Sequence, residues 1–180
     1  TLLSPEFEVF VFDESLFESR YTPNDPIMSN QARSWYLQAV NAPEAWDITM
    51  GSEDVVVAVV DNGFSLSHPE LSSKVVRPYN VWTHSSDITA GREDHGTHVA
   101  GLALAIGDNN EGICGIAPKC RFMPIQVADR NGVMTTTSVL DGILYALYQG
   151  ADVVNISLGC QFVSMSGADE AVQRQFMKFR

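Results

Sequence analysis

Val55-Val56-Val57-Ala58-Val59-Val60-Asp61-Asn62-Gly63 is the stretch on which the fold turns. Its apolar run is β-branched apart from one alanine and does not alternate with polar residues. That is the pattern of a strand covered on both faces, as in a parallel sheet. The run breaks off in an acid, an amide and a glycine, so Asp61 is expected at the carboxyl edge of the sheet, where α/β folds gather ligands and catalytic groups. A carboxylate placed there can accept from a histidine ring N–H, fix the tautomer and stabilise the imidazolium formed in acid–base work.

A histidine suited to that role follows in Asp94-His95-Gly96-Thr97-His98-Val99-Ala100-Gly101, which reads as a turn opening a helix. Gly96, Ala100, Gly101, Ala103 and Ala105 give this helix a small-residue surface. Glycines are poor helix formers, so close packing is the expected reason for them, with the helix crossing the protein centre and His95 exposed at its start. Taken singly, Asp61 also fits a turn or cap, and His95 a capping or packing histidine. Together, in this order, they form an acid–base pair that lacks a nucleophile.

Strand and helix signals alternate around the pair. Pro43 to Ile48 predicts a short helix, Asp54 to Val60 a strand, Gly96 to Ala105 a helix and Arg121 to Val127 a strand. Thr136 to Gln149 predicts a helix stopped by Gly150, and Asp152 to Ser157 a third buried strand. Such alternation implies βαβ crossovers and a doubly wound α/β fold, a parallel sheet with helices on both faces. Upstream, Glu6 to Phe12 predicts one more strand, joined by the proline-punctuated connector Arg20 to Pro26.

Three segments together resemble the subtilisin-like serine proteases, or subtilases: Asp61-Asn62-Gly63 with His68-Pro69-Glu70-Leu71, then His95 to Gly101, then Asn155-Ile156-Ser157-Leu158-Gly159. The resemblance runs from about Asn24 to Gly159. It implies peptide-bond hydrolysis by an Asp-His-Ser triad, with Asp61 orienting His95 and His95 acting as general base. It also implies that Ser157, Leu158 and Gly159 line the primary specificity pocket, and that Gly132, Val133 and Met134 meet the substrate. Asn62 stands where Ser or Thr is commoner in the family; since it is not the acid itself, no consequence is expected.

The family's Gly-Thr-Ser nucleophile segment does not occur before Arg180. Ser164 and Ser166 follow His95 too soon to replace it, and are expected in a loop leading into a helix over 168–180. The chain is thus expected to be the N-terminal part of a truncated subtilisin-like domain, residues 23–180, preceded by a propeptide tail or N-terminal extension at 1–22. By itself it is expected to be inactive. The alternative is a catalytically incomplete subtilase-derived module that binds peptides or a complementing chain.

The resemblance further implies a structural calcium ion held by Gln31, Glu70 and the Gly107-to-Gly112 loop, Asn110 in particular; oxygen-rich ligands suit a hard cation. A transition metal at His95 and His98 is a weaker alternative, because a zinc protease helix spaces its histidines four apart with a glutamate between. His98 is expected to pack within its helix and His68 to sit in a loop. Polypeptide substrates, a propeptide and an extracellular setting are likewise implications of the resemblance.

Composition agrees with a globular chain: 180 residues, 45% hydrophobic, carry a net charge of -11 spread along the sequence. That charge disfavours nucleic acid and anionic membranes as partners. No apolar run approaches the roughly 20 residues that cross a bilayer. Cys114 and Cys120 flank a tight Gly-Ile-Ala-Pro segment, which suits either a small disulfide loop or two buried thiols.

Overall fold

The structure, a computed structural model, describes residues 21–91 and 94–159. The strand expected at Glu6 to Phe12, the serines Ser164 and Ser166 and the helix expected over 168–180 lie outside the described residues. Among the described residues a four-stranded parallel sheet runs in the order β2-β3-β1-β4, formed by β1 (Val56–Asp61), β2 (Tyr79–Asn80), β3 (Arg121–Gln126) and β4 (Val153–Asn155). β1 is buried along its whole length because β3 flanks it from Val56↔Arg121 to Asp61↔Gln126 and β4 pairs with it on the other side.

Alternate residues of β1 serve two cores, as a pleated strand requires. Val56, Ala58 and Val60 pack with Ile143 and Ala146 of α5 (Thr136–Tyr148). Val57 and Val59 pack with Ala100 and Leu104 of α4 (His95–Leu104), along with Phe64, Leu71 and Phe122. Helices therefore cover both faces. A third cluster joins Leu37 of α1 (Gln31–Ala39), Ala42 and Trp46 of α2 (Ala42–Trp46), and Cys114.

α5 starts where the sequence says it should. Thr135 accepts from Ser138 N–H at 3.0 Å and Ser138 Oγ accepts from Thr135 N–H at 3.0 Å, closing a capping box. Gly150 follows the helix at φ +73°, the left-handed stop glycine tolerates. Gly142 brings α5 onto the sheet: a Cβ there would stand 2.7 Å from Val127 Cγ1.

Two strands differ from expectation. β4 is only three residues long and is not buried; Val153 is 51% exposed, since β4 is the outer strand of the sheet and pairs with β1 alone among the described strands. β2, two residues after Pro78, is too short for a periodicity to show. α1 and the one-turn α3 (Pro69–Ser72) were also not expected. α1 has no side-chain cap bond at Asn30; His68 sits in the loop before α3, as expected, and its Nδ1 caps that helix by accepting from Glu70 N–H at 3.3 Å.

Cys114 and Cys120 are buried free thiols, which decides between the two readings of their spacing. Burial, reinforced by the charges of Asp25 and Asp108, pushes the Cys114 thiol up to about 12. Among the described residues no helix is long and apolar enough to cross a membrane.

Phe122 is fully buried and meets Phe64 edge-on, with ring centroids 5.4 Å apart. Phe122→Ala is expected to cost about 3–5 kcal/mol, read as a lower denaturant midpoint. Lys74 donates its ammonium to the carbonyls of Leu104 and Pro118, and burial pushes it from its ordinary 10.5 down to about 8. The unfolded chain then binds the extra proton between those values, so this group makes stability rise as pH climbs from 8 to 10.5. The difference in unfolding free energy between the parent protein and Lys74→Met should show that slope; a flat difference would contradict it.

Candidate active site

β1 delivers Asp61 to the carboxyl edge of the sheet with no exposed surface. Its Oδ1 accepts the backbone N–H of Asn62 at 2.7 Å and lies 2.8 Å from His95 Nδ1. A buried carboxylate as partner puts the proton on Nδ1, leaving Nε2 free to accept another. The His95 side chain is 45% exposed, so the ring can be reached from solvent. Asp61 Oδ2 is buried without a hydrogen-bond partner, so both of the carboxylate's described bonds fall on one oxygen.

The approach is close because Gly96, the second residue of α4, is pressed on the end of β1. A Cβ at Gly96 would strike the carbonyl oxygen of Gly63 and stand 3.0 Å from Asp61 Cβ. Gly101 lacks that constraint: a Cβ there would meet Ile113 Cδ1 at an ordinary 3.7 Å, so close packing does not explain both glycines. His98 is exposed rather than packed within the helix.

A cavity of about 330 Å³ beside Asn62 is lined by Thr89 to Gly91, Gln126, Asp129 to Gly132 and Met134. The turn carrying Gly132, Val133 and Met134 lies outside the four strands, and Asp129 holds it. Asp129 Oδ1 accepts from Val133 N–H and Asn131 N–H, both at 2.8 Å, and the Val133 bond leads in keeping this carboxyl below its ordinary value. Gln126 is buried at the end of β3; it accepts from Thr89 N–H at 2.9 Å and donates to Ala128 O at 3.1 Å, fixing one wall. Sequence reasoning passed over Gln126, although a glutamine closing an apolar strand was a visible signal.

Ser157, Leu158 and Gly159 follow β4 past its Val59↔Asn155 pairing, leaving the sheet at the edge where β1 ends in Asp61. Asn155 Nδ2 donates to Ser157 Oγ at 3.0 Å, and Leu158 packs against the α5 core. The sheet order thus brings all three sequence segments to one edge, with the acid and histidine in direct contact.

Residues 52–178 match the Peptidase_S8 model, the Subtilase family. The chain belongs to the subtilase family. It is 42% identical over 158 residues to thermitase of Thermoactinomyces vulgaris, covering 88% of this chain and 55% of thermitase. It is 40% identical over 145 residues to a thermophilic serine proteinase of Bacillus sp. strain AK1, covering 81% of this chain and 35% of that protein. Among solved structures, a protease of Pseudoalteromonas arctica PAMC 21717 superposes with a TM-score of 0.69 at 30% identity, over 86% of this chain and 55% of the other. The chain therefore spans about half or less of the length of these relatives. Further relatives are named as extracellular or as intracellular proteases.

In this subtilase chain the acidic loop wraps two buried carboxylates, of which the sequence had pointed to one. Asp25 accepts from the N–H groups of Asp108 at 2.8 Å and Asn109 at 3.4 Å, and Glu70 accepts from Asn109 Nδ2 at 3.2 Å. Burial, then the charges of Asp25 and Glu111, push the Glu70 carboxyl up, against a lowering hydrogen bond from Asn109. Asn110 sits at φ +61° with its N–H on Asn24 Oδ1 at 2.7 Å, while Gln31 is exposed at the start of α1. Among the described residues no cluster of three or more His, Cys, Asp or Glu is arranged to hold a metal. A cation here would need amide and carbonyl oxygens beside the two acids.

Gly96→Ala is expected to separate α4 from β1 and break the His95–Asp61 bond, seen as loss of the downfield Nδ1 proton resonance of His95. Gly101→Ala should keep that resonance and stabilise the fold by about 0.5–1 kcal/mol.

Proposed function

We propose that this chain carries the acid and base of a subtilase serine endopeptidase. The supporting observation is the 2.8 Å contact between fully buried Asp61 and Nδ1 of His95, whose side chain is partly exposed. His95 Nε2 takes the proton of an attacking serine and returns it to the leaving amine, while Asp61 holds the tautomer and stabilises the imidazolium. Peptide substrate lies along the groove bounded by Gly132, Val133 and Met134 on one side and Ser157, Leu158 and Gly159 on the other. The substrate is polypeptide, and the protein works outside the cell after loss of a propeptide within residues 1–22.

No Gly-Thr-Ser tripeptide occurs in residues 1–180. In this proposal the serine comes from outside them, and the 180 residues alone hydrolyse nothing. A fluorophosphonate probe should leave the 180-residue chain unlabelled and label one serine in a gene product that contains the segment. In that product His95→Ala and Asp61→Asn should each lower kcat by roughly 10⁴-fold; near-normal turnover in either would overturn the assignment. The second reading, a peptide-binding module, draws on the exposed apolar edge at Val153 and Ile156. Peptide binding without any labelled serine would favour it.

Calcium, on this proposal, is structural. The negative charge of Asp25 and Glu70, with oxygens of Asn110 and its loop, would hold it, and Gln31 would have to turn toward them. The ion would offset the carboxylate repulsion under the loop and takes no part in proton transfer. Chelation should lower the melting temperature, and Glu70→Gln should remove most of that chelator dependence while leaving the His95–Asp61 contact in place.

A further inference from the structure

Asn62 is bonded to the acid of the catalytic pair and to the helix that carries the histidine. Its backbone N–H donates to Asp61 Oδ1 at 2.7 Å, and its side-chain Oδ1 accepts the N–H of Gly96, the second residue of α4, at 3.2 Å. α4 needs that acceptor. Its preceding residue, Asp94, sits in the left-handed region at φ +49° and makes no side-chain cap bond to the first-turn N–H groups. An N–H can be met only by the oxygen of a carboxamide, which fixes the orientation of the Asn62 side chain.

The carboxamide is also held sterically. A Cβ on Gly91 would stand 2.5 Å from Asn62 Oδ1 and 2.7 Å from its Cγ, so only glycine lets the 89–91 segment lie flat against it. The group is therefore packed against Gly91 while it bonds Gly96, and Asn62 also lines the 330 Å³ cavity. A residue serving just as a turn former after β1 would have no reason to reach across to α4. Asn62 was set aside on sequence because it is not the acid; its contacts show it joined to the acid by its backbone and to the histidine's helix by its side chain.

We propose that Asn62 is a positioning residue that caps α4 from the turn that follows β1 and so fixes where His95 stands over Asp61. This rests on His95 being the general base, and the test separates the two ideas. In the full-length active protein, Asn62→Ala should lower kcat by about tenfold with KM changed less than about twofold, since a small displacement of a catalytic group is costly. Asn62→Asp keeps the shape and the acceptor, so it should recover most of kcat. Its added negative charge near His95 favours the imidazolium and should move the acid limb of the pH–rate profile to higher pH.

Unchanged kcat in Asn62→Ala would overturn the proposal. So would an Asn62→Asp protein with kcat about tenfold below the parent and an unmoved acid limb, and that arm decides the matter if the alanine variant does not fold. Should the parent protein prove to have no peptidase activity, the general-base assignment falls by itself. The cap is then judged from the His95 Nδ1 proton resonance, which Asn62→Ala should shift or broaden; an identical resonance would refute it.

Discussion

The crossing of α4 over β1 at Gly96 is the constraint from which the site follows. Hydrophobic burial drives the two elements together, with Val57 and Val59 on the strand meeting Ala100 and Leu104 on the helix. The closeness of their approach is set by a missing methyl group, since a Cβ at Gly96 would collide with the carbonyl of Gly63. At that separation an aspartate closing the strand and a histidine opening the helix come within one hydrogen bond of each other. The electrostatics of the pair thus depend on core packing several residues away.

Much of this was legible from the residues. The unbroken apolar run of β1 announced a strand covered on both faces, and Gly150 marked the end of α5. Sequence periodicity carries less about short elements and edges. β2 is two residues long, and β4, expected as a buried strand from its valine pair, lies at the rim, because burial of a strand depends on its neighbours rather than on its own composition. Asp25 shows a different limit: its role comes from a loop whose Asp108 lies 83 residues further along the chain, which no local pattern encodes. Asn62 is a third case, where looking for the acid and the base drew attention from the residue between them.

Polar groups in this structure are placed by backbone N–H donors as much as by side chains. Asp61, Asp25 and Asp129 each accept from main-chain amides, which fixes the carboxylate and shapes the surrounding turn. A carboxylate held this way needs no basic partner to stay oriented. The sequence spends its acids on geometry, which is consistent with a net charge of -11 and few cations to answer it.

The pairing of β1 has a consequence for the order of events on the ribosome. Its neighbours are β3 and β4, and both are made long after it, so the apolar strand emerges with neither edge satisfied. Closing such distant pairs is entropically slow, and an unpaired hydrophobic strand waiting for them can stick to its like. The acid of the site is thus synthesised early and secured late: the strand bearing Asp61 gains its first hydrogen-bonded sheet partner only once the β3 segment has been translated.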